Sequence, residues 1–132
     1  MVRDALRVLV VDDDLPICEL LKLAFADEGW DVQICTRGQE ALDLLQRWKA
    51  DVILLDLRMP VMDAEVLLSR YRRQAERVIP ILLLSASSHL DCHAARLGVD
   101  AAVAKPFDVD TLCATVRQVV VQHQAGSYVC GR

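Results

Sequence analysis

The sequence predicts an α/β domain built on a doubly wound parallel sheet. Two observations predict it. Short apolar runs alternate five times with longer stretches of helical periodicity, and polar residues gather where those runs end. Parallel strands are covered by helices on both faces, so they read as near-continuous apolar runs and need crossover helices between them.

Arg7–Val11 is a β-branched run stopped by Asp12-Asp13-Asp14. Asp14 is expected to cap the helix that follows, in which Pro16 suits the first turn and Ile17, Leu20, Leu21, Ala24 and Phe25 form a stripe closed by Gly29. Trp30–Cys35 is the second strand. Thr36-x-x-Gln39 has the pattern of a capping box and opens a helix carrying Ala41, Leu44, Leu45 and Trp48. Asp51–Leu55 is the third strand, ending at Asp56. Asp63 is placed to cap a helix with Ala64, Leu67, Leu68 and Tyr71 on one face. Ile79–Leu84 is the fourth strand, followed by Ser85 and a short helix over Leu90–Leu97 that Gly98 closes. Val99–Ala104 is an alanine-rich fifth strand. Lys105-Pro106-Phe107-Asp108 introduces a last helix with Leu112, Val116, Val119 and Val120. The domain is therefore set at residues 1–123, with 124–132 a flexible tail or the start of a linker. Val119, Val120 and Val121 exceed one stripe, which predicts an exposed apolar patch suited to self-association or docking.

Composition narrows the function classes. Hydrophobic residues at 54% against 26% charged exclude intrinsic disorder. Fifteen basic against nineteen acidic residues give a net charge of −4, which argues against direct nucleic-acid binding. The apolar runs are far shorter than the roughly 20 residues of a membrane span. Residues 1–4 show no secretory pattern, so a cytoplasmic location is expected. Cys18, Cys35, Cys92, Cys113 and Cys130 are scattered without a Cys-x-x-Cys pair and read as reduced, mostly core residues, with Cys130 prone to air oxidation in the tail. His89 and His93, with Cys92 between them, read as exposed helix residues rather than a metal pair, and Trp30 and Trp48 as edges of the core.

Ligands of such sheets bind outside the carboxyl ends of the strands. Asp12, Asp13, Asp56, Ser85 and Lys105 all stand at those ends. Carboxylates gathered there repel by several kcal/mol per pair in a partly buried setting, on the order that Coulomb's law gives, so a cation must offset them. Mg²⁺ is the natural candidate, because it takes oxygen ligands from one or two carboxylates and keeps sites for phosphate. With Mg²⁺ and Lys105 present, a carboxylate can attack a phosphoryl group and form an aspartyl-phosphate, and Ser85 can donate to a phosphoryl oxygen.

These residues carry a resemblance. Val10-Val11-Asp12-Asp13-Asp14, Asp56-Leu57-Arg58-Met59-Pro60, Ser85-Ala86 and Lys105-Pro106-Phe107, in this order over about residues 6–122, resemble the signature of receiver domains of bacterial two-component response regulators. The resemblance implies a flavodoxin-like sheet in the strand order 2-1-3-4-5 with five helices. It implies that Asp56 accepts a phosphoryl group from a phosphohistidine of a sensor histidine kinase or phosphotransfer protein. Mg²⁺ would be bound by Asp13, Asp56 and the backbone carbonyl of Arg58, with Asp12 assisting. Ser85 and Lys105 would contact the phosphoryl oxygens and relay their arrival to an output domain or downstream protein. A cis Lys105-Pro106 peptide belongs to the same picture, whereas a possible homodimer rests on the apolar patch of Val119, Val120 and Val121. The domain would be a signalling switch, with only its own autophosphorylation and autodephosphorylation as chemistry.

The chain departs from the family pattern at three places. Ala102 stands where the family usually has a switching aromatic, three residues before the lysine, which bears on the output surface. Ala64 stands where a glycine is usual, so a positive φ there would be strained. Arg58 places a cation at the mouth of the site, where it is expected to modulate the access of water and thus the phosphoryl lifetime. Two other readings remain: an interaction module of receiver shape that is never phosphorylated, which Ala102 and Ala64 favour, and a phosphatase with an aspartyl nucleophile. The second usually pairs its nucleophile with an acid two residues on, where this chain has Arg58. A nucleotide-binding α/β domain is disfavoured because acids, not a glycine-rich turn, follow the first strand.

Overall fold

Five short strands whose side chains are apolar on both faces can be stable only as the middle layer of a sandwich, and that is the arrangement found. The computed structural model describes residues 5–129, and the side chains of residues 5–124. β1 (Arg7–Val11), β2 (Asp31–Cys35), β3 (Val52–Asp56), β4 (Ile81–Ser85) and β5 (Ala101–Ala104) pair in parallel in the order β2-β1-β3-β4-β5. α1 (Leu15–Asp27), α2 (Gly38–Leu45), α3 (Ala64–Gln74), α4 (Leu90–Leu97) and α5 (Val109–Val129) link and follow them. The predicted fold class, helix count and strand order are those observed.

Strand side chains alternate between two cores. Val8, Val10, Val52, Leu54, Leu82 and Leu84 pack with Cys18, Leu21 and Phe25 of α1 and with Leu112, Cys113 and Val116 of α5. Leu9, Val11, Ile53, Leu55, Ile81 and Leu83 pack against α2, α3 and α4. Every residue of β3 and β4 is buried, whereas the edge strands are partly exposed, so β3 occupies the centre of the domain.

The caps separate local signals from tertiary ones. Asp14 and Asp63 accept from the backbone N–H groups of Ile17 and Val66 at 3.3 and 3.1 Å, as expected of N-caps. Gly29 and Gly98 take the positive φ that ends α1 and α4. The expected capping box is not formed: α2 begins at Gly38, with Arg37 at its N-cap and no side-chain cap bond. A Cβ on Gly38 would stand 2.7 Å from the Met62 sulfur, so the loop after β3 packs closely on the first residue of this helix. The expected strain at Ala64 is absent too. Ala64 is the first residue of α3, and the positive φ falls on Val61, at 72°, where Met62 N–H donates to the Pro60 carbonyl at 2.8 Å. Leu20, expected in the α1 stripe, is 46% exposed, while Cys18 is buried in its place. The predicted valine patch reduces to Val121, because Val119 and Val120 are buried.

Cys18, Cys35 and Cys113 are buried free thiols and Cys92 is exposed; Cys130 lies outside the described residues. Trp30 and Trp48 flank the two cores as expected. Among the described residues, no helix is long and apolar enough to cross a membrane.

Candidate functional site

The register of the central strands builds the site. Val11 pairs with Leu55, so the next residues, Asp12 and Asp56, leave adjacent parallel strands side by side. Asp12 continues the ladder by donating its N–H to the Cys35 carbonyl at 3.1 Å, and Leu57 does the same to Leu84 at 2.9 Å, which holds both strand ends rigidly. Ser85 lies one residue beyond Leu84, the partner of Asp56, and Lys105 directly follows β5. The Lys105-Pro106 peptide is cis.

Asp12 is fully buried, Asp56 and Ser85 are nearly so, and Asp13 is exposed. One carboxylate oxygen from each of Asp12, Asp13 and Asp56 lies within 4.8 Å of the other two. Lys105 Nζ donates to Asp12 Oδ2 at 2.8 Å and to Asp56 Oδ1 at 3.3 Å. The backbone N–H of Asp14 donates to the other oxygen of Asp12 at 2.9 Å. A carboxylate with no access to water is thus held by an ammonium and an amide, as burial of a charge requires. Ser85 Oγ accepts from the Ser87 N–H at 3.0 Å. Arg58, two residues past Asp56, is exposed on the loop that leads to α3.

Electrostatics at this edge are unbalanced. Three carboxylates face one ammonium, and the acceptor candidate feels it: burial, then the Asp12 charge, push Asp56 up to about 6 against the pull of Lys105. Lys105 is shifted the other way in stability terms. Burial alone would lower its pKa, but the hydrogen bond and charge of Asp12, with Asp56 adding to them, raise it above the ordinary lysine value, so it stays an ammonium. The Cys18 thiol donates to the Asp12 carbonyl at 3.2 Å, and burial pushes it up to about 11, which keeps it a neutral packing group. An unscreened excess of carboxylate, one of them open to solvent at Asp13, has the donor chemistry of a hard divalent cation site and fits Mg²⁺.

The structure therefore brings Asp12, Asp13, Asp56 and Lys105 into contact range, sets Ser85 on the neighbouring strand end, and leaves Arg58 exposed on the loop after β3. His89 is exposed and His93 lies 3.3 Å from Arg96; neither joins a cluster of three metal-ligating side chains among the described residues. What sequence reasoning missed is the Ser87 and Asp14 amides that orient Ser85 and Asp12. Their spacing, i to i+2 after Ser and Asp, is a turn signal that local reading can find.

Residues 8–117 match the family model of the response regulator receiver domain. This chain belongs to that family. The receiver domain has solved structural neighbours that agree. The receiver domain of the Francisella response regulator 1452 is 34% identical, with 89% of this chain and 98% of that one covered at a TM-score of 0.79. The Vibrio cholerae chemotaxis protein CheY4 is 31% identical, with 87% and 98% covered at 0.80. The signal receiver domain of a putative Luxo repressor protein from Vibrio parahaemolyticus is 25% identical, with 97% and 99% covered at 0.82. The chain is thus a receiver domain of the two-component response regulator type, with a carboxylate cluster at the ligand edge of its sheet.

Proposed function

We propose that this receiver domain is a phospho-accepting switch in which Asp56 takes a phosphoryl group from a phosphohistidine on a sensor histidine kinase or phosphotransfer protein. The observation that carries the reading is the meeting of Asp56 with Lys105 at 3.3 Å inside the carboxylate cluster. An oxygen of the Asp56 carboxylate attacks phosphorus, the N–P bond of the donor breaks, and the imidazole leaves. Asp13, Asp56 and the Arg58 backbone carbonyl would hold Mg²⁺, with Asp12 beside them. Bound there, Mg²⁺ supplies the positive charge that lets two anionic groups approach. Lys105 offers its ammonium to an incoming phosphoryl oxygen, and the Ser85 hydroxyl offers a second donor. The new charge and acceptors at position 56 then bias the loops that carry these two residues, which shifts the far surface between two states.

In this reading the domain comprises residues 1–123, residues 124–132 lead away from it, and it works in the cytoplasm with an output domain or downstream protein, alone or as a homodimer. Autophosphorylation and autodephosphorylation are its only chemistry. Ala102 favours a second reading, a constitutive interaction module, because a methyl group has no rotamers with which to report phosphorylation. The two readings separate on incubation with Mg²⁺ and acetyl phosphate followed by intact mass measurement. The switch gains one phosphoryl group in the wild type and none in Asp56→Asn; an unmodified wild type would leave only the interaction module.

A further inference from the structure

Between the carboxyl ends of α2 and α3, at the amino edge of the sheet, lies a cleft of about 640 Å³. That is the size of organic-ligand sites. Ala50 lines it at one end of β3 while Asp56 closes the other end, and six residues at about 3.3 Å each put the two sites roughly 20 Å apart. The cleft is therefore no part of the carboxylate cluster.

Its walls combine two aromatic rings, Trp48 and Tyr71, with three cations, Arg47, Lys49 and Arg77, against a single carboxylate, Glu76. In a chain of net charge −4 this is a local reversal of sign. The walls are tied together in advance: Arg77 donates to the Ala50 carbonyl at 2.8 Å, and Gln74 of α3 donates to the Leu42 carbonyl of α2 at 3.1 Å. A preformed cleft costs a ligand little ordering entropy. Arg47 and Lys49 are exposed, and among the described residues the side-chain hydrogen bond of Arg47 is a 3.5 Å contact to the Asp43 carbonyl, which leaves both side chains accessible to a ligand. The Arg7 guanidinium stands 5.8 Å from the centre of the Trp48 ring, outside the residues that line the cleft.

We propose that this cleft binds a nucleotide-like organic anion, with a planar ring against Trp48 and a phosphate held by Arg47 and Lys49. Aromatic surface and cations on one wall recognise the two halves of such a ligand, and neither half alone uses both.

The two tryptophans give the test an internal control, because Trp30 packs on Phe25 at 5.2 Å in the other core. The indole N–H cross-peaks of Trp48 and Trp30 are followed by NMR while the intact protein is titrated with adenosine 5′-monophosphate, with adenosine, and with inorganic phosphate. Saturable movement of Trp48 but not Trp30 is expected with the nucleotide, at a Kd of about 0.1–1 mM or tighter. Adenosine and phosphate alone should bind at least about tenfold more weakly, and Arg47→Ala/Lys49→Ala, with an unchanged Trp30 signal, should weaken the nucleotide by about tenfold or more. The proposal is overturned if Trp48 does not move, if both indoles move alike, if either half-ligand matches the nucleotide, or if the double variant binds it as tightly as the wild type.

Discussion

The Lys105 ammonium sits closer to Asp12, at 2.8 Å, than to Asp56, at 3.3 Å. The lysine proposed to meet a phosphoryl group is therefore anchored by a different carboxylate, one with no solvent exposure at all. This pairing makes Asp12 tolerable inside the protein and keeps Lys105 charged and aimed at the site.

Removing that ammonium should cost stability as well as signalling. Lys105→Met leaves the buried Asp12 carboxylate without its ion-pair partner, and stranded buried charges cost about 3–5 kcal/mol. Urea unfolding in the absence of Mg²⁺ should show a loss of that order, and Asp12→Asn introduced into the same variant should restore most of it. A loss below about 1 kcal/mol, the size of a surface pair, would show that Asp12 does not depend on Lys105.

The raised pKa of Asp56 gives stability a defined pH dependence in the metal-free protein. Its ordinary value is 3.8 and its folded value about 6, so folding favours the protonated form. The favourable contribution is complete below about pH 4 and is lost as pH rises through about 6; at about 1.4 kcal/mol per unit, the ionised group costs about 3 kcal/mol above pH 7. Asp56→Asn should therefore be more stable than the wild type at pH 7.5 in EDTA, with the gap closing toward pH 4. Added Mg²⁺ should stabilise the wild type more than the variant. Denaturation midpoints across this range measure both effects.

Strain in the loop after Asp56 lies at Val61, whose φ of 72° is unfavourable for a β-branched residue and whose side chain is fully exposed. Val61→Gly loses no packing and relieves the backbone, so thermal unfolding should show a gain of up to about 1 kcal/mol, the strain less the added entropy of glycine in the unfolded chain. A loss of stability would mean that the side chain makes a contact worth more than the strain.

Arg58 is exposed, two residues past Asp56. If it screens the phosphoryl group from water, Arg58→Ala should change the autodephosphorylation half-life several-fold while leaving the urea midpoint within about 0.5 kcal/mol of wild type, as for ordinary surface substitutions. An unchanged half-life would remove Arg58 from the mechanism.

Much of this was legible in the sequence because it is written in local chemistry. The runs Val8–Val11, Val52–Leu55 and Ile81–Leu84 are apolar on both faces and become the three buried central strands, and their last residues deliver Asp12, Asp56 and Ser85 to one edge. Asp14, Asp63, Gly29 and Gly98 act within one turn of where they stand. What escaped is what depends on partners distant in the chain. α2 starts at Gly38 without a side-chain cap, and the Met62 side chain, from the loop after β3, leaves little room there for a Cβ. Positive φ sits at Val61 because of a hydrogen bond between its neighbours, not at the position where family habit puts glycine. Leu20, placed in the α1 stripe, is exposed because helical spacing alone does not rank two adjacent stripes. The preference of Lys105 for Asp12 over Asp56 arises only when five strands have assembled, since the two residues are 93 positions apart.

The most direct measurement of the central claim locates the modification itself. The protein is incubated with acetyl phosphate in the presence and absence of Mg²⁺, treated with borohydride to reduce any acyl phosphate, digested and sequenced by tandem mass spectrometry. The account predicts homoserine at position 56 in the Mg²⁺ sample alone. Reduction at another carboxylate, equal labelling without the cation, or an intact Asp56 in every sample would contradict it.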